Sequence, residues 1–265
     1  MVPSILTATP GYPFWGNHAR ETERMAEEQN DLDYAGDGRR LRWLAHNQAR
    51  RRVIIDAAIR VLERTEPGDD VQVQLIAEEA GLARTVLYRH FHDRVDLDLA
   101  VQQAICKDIG DQLLGTLTYE GRPFEIIRDA VTGVVSWAVE HPTLFWFVEL
   151  ELPGPGPHPL SVAIEQIAEQ IETIMNTVVD HFGVELSAND RASLDPWVFA
   201  LIGAVFSGVK RWQSRLEVTP DGAAFAHMLA ESIWVQIDAM AKLRGLVVPD
   251  VPLVELFHVM EQSEQ

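Results

Sequence analysis

The stretch from Leu160 to Phe182 repeats its apolar residues at steps of three and four. Ile164, Ile167, Ile171, Ile174, Met175, Val178 and Phe182 fall on one stripe, with Glu165, Glu169 and Glu172 opposite. A period near 3.6 suits a helix with one face in a core and does not suit a strand, whose period is two. The same pattern recurs wherever the chain has apolar runs. Arg39–Thr65 contains no Pro or Gly, and its later half sets Ile54, Ala57, Ala58, Val61 and Leu62 on one face. Pro123 opens a run to Glu140 that "HP" at 141–142 breaks, and "TLFWFVELEL" after it reads as a short apolar helix. "PGPGPHP" is a loop. Pro196–Arg215 and Gly222–Lys242 complete the series. No stretch alternates as a strand does and no internal repeat appears, so the expected fold class is all-α.

Charge divides this helical chain into three parts. The formal net charge is −18, but it is −5 over residues 1–38, +3 over 39–94 and −16 over 95–265. All 11 basic residues of the middle part are arginines. An acidic protein with one arginine-bearing block suits a nucleic-acid reader joined to a body that does not touch nucleic acid. Residues 1–38 carry Pro, Gly and Asn punctuation and the acidic run "ETERMAEEQNDLD". They read as a flexible extension with a short helix near Ala19–Gln29.

The middle block holds a helix-turn-helix spacing. In "VQVQLIAEEAGLARTVLYRHF" a short helix, about Val71–Ala80 and capped by Asp69 or Asp70, carries Ile76, Ala77 and Ala80. Gly81 stands at the bend, where a positive φ favours glycine. Leu82, Val86 and Leu87 face inward, and Ala77 leaves room for two helices to cross. The second helix presents Arg84, Thr85, Tyr88, Arg89 and His90 on its other sides. Asp93 is a candidate N-cap for a helix from about Asp93 to Leu114.

"GLARTVLYRHF", followed by "HDRVDL" and preceded by "RRVIIDAAIRVLE", resembles the TetR family of transcriptional regulators over about residues 50–100. The paired alanines Ala57 and Ala58, the "IAEEAG" helix, the Leu87–Tyr88 pair, Phe91 and Arg94 all carry the resemblance. It implies a helix-turn-helix domain over 39–100 and a helical ligand-binding and dimerisation domain over 101–265. Arg84–His90 would then enter the major groove of double-stranded operator DNA. Arg84 and Arg89 would meet either a guanine edge or a phosphate. Thr85 and Val86 are candidates for a thymine methyl, Val86 also for the core. Tyr88 would reach the backbone, and Gln72 and Gln74 the phosphates beside it. Arg50, Arg51 and Arg52 form either an arm on the DNA or an exposed helix face. Ala83 departs from the family, which places Ser or Thr there as a cap and phosphate contact. The long N-terminal extension is a second departure.

The resemblance further implies a homodimer joined through the last two long helices. Small residues at Ala200, Gly203, Ala204, Ser207 and Gly208 would allow their close approach. It also implies a pocket for a hydrophobic effector such as a fatty acyl chain, a steroid-like compound or a lipophilic drug. Trp137, Phe145, Trp146, Ile174, Met175, Val178, Trp197 and Phe206 are its candidate lining. The expected protein is a ligand-responsive regulator, most simply a repressor, cytoplasmic and free of cofactors. A helical adaptor that uses the motif for protein contacts is the alternative. An enzyme finds no support: the chain has no Gly-x-Ser-x-Gly, P-loop or dinucleotide fingerprint, and no Cys/His metal set. His90 and His92 are two apart and point away from each other on a helix. Cys106 is the only cysteine, which rules out an internal disulfide. Pro196–Val209, the most apolar run, is shorter than the ~18 residues that span a bilayer.

Overall fold

The computed structural model describes residues 45–255, and every described element is helical. The expected helix near Ala19–Gln29 and the arginines at 39, 40 and 42 lie outside these residues. Internal contacts divide the described chain after Arg52. Residues 45–52 are helical and carry Arg50 and Arg51, half-buried, and Arg52, exposed.

The body from Val53 onward begins with α1 (53–62), in which Ile54, Ala57 and Ala58 are almost wholly buried. Next come α2 (Val73–Glu79) and α3 (Arg84–Leu87). Neither Asp69 nor Asp70 caps α2. Gln72 is its N-cap and makes no side-chain cap bond, so the start of α2 is held by burial of Val71 and Val73 instead. Its end is tightly specified. Gly81 has φ +66°, its N–H donates to Glu78 O at 3.0 Å, and Leu82 N–H donates to Ala77 O at 2.9 Å. This paired bonding closes a helix on a left-handed residue. Ala77 is fully buried at the crossing. Arg60 of α1 and Arg64 just beyond it both donate to the Glu79 carboxylate of α2, at 2.7 and 2.9 Å, and hold its pKa below the usual range.

The helix α4 (Arg94–Thr116) is about 35 Å long at 1.5 Å per residue. Asp93 caps it by accepting from Asp96 N–H at 2.9 Å, as expected. The helix serves two cores. Leu97, Val101, Ile105 and Cys106 pack with α1–α3, whereas Ile109 and Leu113 pack with the helices that follow. Burial raises the Cys106 thiol pKa to about 12, so the group stays a neutral thiol.

The remaining helices are α5 (Pro123–Glu140), α6 (Pro142–Val148), α7 (Pro159–His181), α8 (Ala188–Gln213) and α9 (Gly222–Leu243). α5 packs on α9, and α7 packs between α4 and α8. Where α4 crosses α5, a Cβ on Gly133 would lie 3.1 Å from the Leu113 side chain, so the helices approach closely there. Phe182 leaves the α7 stripe: it is the C-cap, 37% exposed, with its ring edge-on to His181.

α8 starts eight residues before Pro196, not at it. Ser187 accepts from Asp190 N–H at 3.1 Å and opens the helix. Pro196 sits inside, and both it and Ala192, whose carbonyl loses its helical donor, are exposed to solvent. With the added turns α8 is long and apolar enough to cross a bilayer by length and composition. Its packing on α7 and its part in the cavity described next use only part of that apolarity, since 22% of the apolar window is buried.

Candidate DNA-reading helix and ligand cavity

The reading helix is small and well anchored. Leu87 is fully buried and Phe91 nearly so, and together they fix α3 against the core of α1, α2 and α4. Arg84, Thr85, Tyr88 and Arg89 are left exposed, while Val86 and His90 are half-buried. The Arg84 guanidinium lies 5.6 Å from the centre of the Tyr88 ring, a cation–π contact that holds both side chains on one surface. Ala83 is the N-cap of α3 and makes no side-chain bond. The departure seen in the sequence is therefore real: the cap is absent.

Two expected contact residues, Arg94 and Gln74, have partners inside the protein. The Arg94 Nε donates to both Asp98 oxygens, at 2.8 and 2.7 Å, and Nη1 donates to Val71 O. Arg94 thus ties α4 to the start of α2 through Nε and Nη1, which gives it a holding role within the protein. Burial raises the Asp98 pKa, and Arg94 opposes that shift. Gln74 Nε2 donates to Glu78 at 2.7 Å along α2. His92 pairs with Asp93 at 3.1 Å and its backbone N–H donates to Asp96, which completes the cap of α4. Gln72 is exposed at the start of α2. Among the described residues no group of His, Cys, Asp and Glu could hold a metal ion.

The second feature is a cavity of about 380 Å³ among α4, α5, α7, α8 and α9. That is about two and a half times the ~150 Å³ of an apolar cavity able to hold benzene. Ile174, Met175 and Val178 of α7 and Trp197 and Phe206 of α8 line it, as do Leu113 at the far end of α4 and Leu117 just beyond. Trp137, Phe145 and Trp146 do not, which corrects their expected place. Trp137 stacks at an angle on His141 and Phe145, Phe145 is 2% exposed and lies parallel to Phe206, and Trp146 points outward beside Gly68. Phe145 is therefore core, Trp137 packs against it, and Trp146 lies at the surface.

Sequence reasoning passed over the α9 wall, formed by Ile233, Trp234, Ile237 and Met240. The amphipathic pattern of α9 marked that face, but it was assigned to a dimer contact. α8 and α9 meet at Gly208, where a Cβ would lie 3.8 Å from Phe225 and 3.9 Å from Leu229. Further along they form separate walls of the cavity. Asp190 and Arg244 face it where α8 begins and α9 ends: Arg244 Nε donates to Asp190 Oδ1 at 2.9 Å, and Nη2 donates to the same oxygen. Ser187 Oγ donates to Asp190 Oδ2 at 2.6 Å. Hydrogen bonds from Ser187 and then Arg244 hold the Asp190 pKa below the usual carboxylate range.

An exposed, arginine-bearing reading helix on a helix-turn-helix, joined to a helical body with an apolar cavity, defines a DNA-binding regulator of transcription. The family model for bacterial regulatory proteins of the tetR family matches residues 54–101, which include α2, α3 and the start of α4. The chain is 25% identical over 198 residues to an uncharacterised HTH-type transcriptional regulator of Mycobacterium tuberculosis, covering 74% of this chain and 82% of that one. Its fold is similar to that of a tetR-family transcriptional regulator from Streptomyces coelicolor, with a TM-score of 0.57 and 19% identity over 82% of this chain and 99% of the other. It is also similar to RolR in complex with resorcinol, with a TM-score of 0.53 and 16% identity over 78% and 99% of the two chains. Residues 54–101 thus match the DNA-binding module of tetR-family regulators, and the helical fold around them is similar to that of such regulators.

Proposed function

We propose that this regulator is a cytoplasmic homodimeric repressor, released from its operator when a hydrophobic small molecule enters the cavity. One observation carries the reading: α4 begins against the reading helix and ends in the cavity wall. Leu97 packs with α1–α3, and Leu113, sixteen residues on, lines the cavity. A ligand that moves the far end of α4 therefore acts on the body that carries α3. The change needed is small, since a coupling of ~1–3 kcal/mol alters affinity 5–150-fold. In this reading residues 39–100 are the DNA-binding part and 101–265 the effector-binding and dimerisation part.

On the DNA side, Arg84, Thr85, Tyr88 and Arg89 supply the contacts of α3, with Gln72 and the arginines 50–52 as supports on the phosphates. Two such helices, one per protomer, would enter successive major grooves about 34–36 Å apart. The dimer is supported by an exposed apolar face: Phe199 on α8 and Met228, Val235 and Leu243 on α9 are each 42% exposed or more. Ala200, Ala204 and Ser207 lie exposed on the same helix as Phe199 and let a partner helix approach. RolR, seen with resorcinol, offers a precedent for a small molecule in a related fold.

The test begins with DNA fragments selected by the purified protein from random sequence. Fluorescence anisotropy on the selected site should show that Arg89→Ala weakens specific binding by tenfold or more while the unfolding midpoint stays put. A cost of ~1–3 kcal/mol is expected for a lost guanine fork. Unchanged affinity for an Arg84→Ala, Arg89→Ala double variant would remove α3 from the DNA.

A further inference from the structure

The cavity wall says more about the ligand than that it is hydrophobic. Among the described residues that line it, Asp190 and Arg244 are the only ionisable side chains, and they face each other. Their charges are directed at each other. Arg244 commits Nε and Nη2 to Asp190, and Nη1 donates to Met240 O at 3.0 Å. Asp190 accepts from Arg244 on Oδ1 and from Ser187 on Oδ2. Its depressed pKa keeps it ionised at neutral pH, so the pair stays a closed, neutral unit. The other polar side chains on the wall are uncharged: the Ser193 hydroxyl and the indoles of Trp197 and Trp234.

A carboxylate entering this space meets one of two costs. It can lie bare in an apolar cavity, where an unpaired charge is strongly disfavoured. Or it can take Arg244 from Asp190, which leaves a second carboxylate unpaired on the same wall. An alcohol or ketone meets neither, because a single hydrogen bond to an uncharged group satisfies it. We infer that the ligand is an uncharged amphiphile, with a long apolar body and one hydroxyl or carbonyl tip, and that the Asp190–Arg244 pair excludes anionic lipids, free fatty acids among them. This rests on the cavity being the effector site.

The experiment compares dodecanol with dodecanoate at neutral pH, both below their aggregation concentrations, on the full chain. Calorimetry and the fluorescence of Trp197 and Trp234 on the cavity wall read binding. The wild type should bind the alcohol at least about tenfold tighter. An alcohol is the more hydrophobic of the two in any apolar site, so the decisive quantity is the change in this ratio. Asp190→Asn frees Arg244 and should tighten dodecanoate by about tenfold while leaving dodecanol within about threefold. Arg244→Met leaves Asp190 unpaired and should widen the preference for the alcohol. Either shift supports the inference, and the second does so even if Asp190→Asn folds poorly. A wild type that prefers dodecanoate, or a ratio unmoved in both variants, overturns it with the effector site intact. Silence of both probes, with no fluorescence change and no heat, would instead remove the cavity as a ligand site and the inference with it.

Discussion

Arg94→Met separates a residue that reads DNA from one that holds the reading unit together. Methionine keeps most of the apolar stem and removes the guanidinium. The structure then loses two bonds to Asp98 and one to Val71 O. Bonds to charged groups contribute ~1.5–3 kcal/mol when well buried and surface ion pairs ~0–1. The side chains here are 32% and 14% exposed, between those limits. A loss of about 2 kcal/mol follows, which for a body of this size lowers the midpoint of thermal unfolding by about 4–8 °C. The loss should depend on pH. Burial already holds the Asp98 pKa above the ordinary range, and Arg94 opposes this. A carboxyl raised in the folded state destabilises it once pH rises through the interval between its unfolded and folded values. Removing Arg94 raises the folded value further and widens that interval. The penalty should therefore be full at neutral pH and shrink in acid strong enough to protonate Asp98. Urea unfolding of both proteins across this range measures it. If Arg94→Met unfolds like the wild type at neutral pH yet loses operator affinity, the geometry has been misread and Arg94 is a DNA contact.

Ala83→Ser should restore the missing cap of α3 and raise stability by ~0.5–1 kcal/mol, read as a shift in the urea midpoint at unchanged slope. No gain would show that the start of α3 is satisfied some other way. A Cβ at Gly203 meets nothing within 4 Å inside the protomer, so Gly203→Arg should fold normally and yet convert the dimer to monomer. Sedimentation velocity that finds the variant still dimeric would move the interface elsewhere. Val178→Trp places a large ring on the cavity wall and should abolish the dodecanol response while preserving the helical circular-dichroism signal. Continued binding would put the ligand outside the cavity.

Much of the architecture was legible because its causes are local. The apolar period of Leu160–Phe182, the proline at 123 and the break at 141–142 act over a few residues, and α5 spans Pro123–Glu140 as read. Gly81 and Asp93 announced themselves the same way: one by the backbone angle it permits, the other by a side chain that reaches three residues ahead. The start of α8 was also within reach. Ser187 followed by Asp190 is a capping pattern, but Pro196 drew attention as the stronger signal.

Local pattern sufficed for the helix-turn-helix, its arginine-bearing surface and an all-helical body with apolar faces to bury. Which of those side chains meet depends on how the helices pack. Arg94 finds Val71 across 23 residues and Arg244 finds Asp190 across 54, and no local pattern marks either pair. An aromatic residue also obeys the same helical period whether its ring fills a core or faces a void. Trp137, Phe145 and Trp146 were therefore indistinguishable in sequence from Trp197 and Phe206, and only the packing of whole helices put the latter two on the cavity wall. Period is a property of one helix, whereas a cavity is a property of the distances between several.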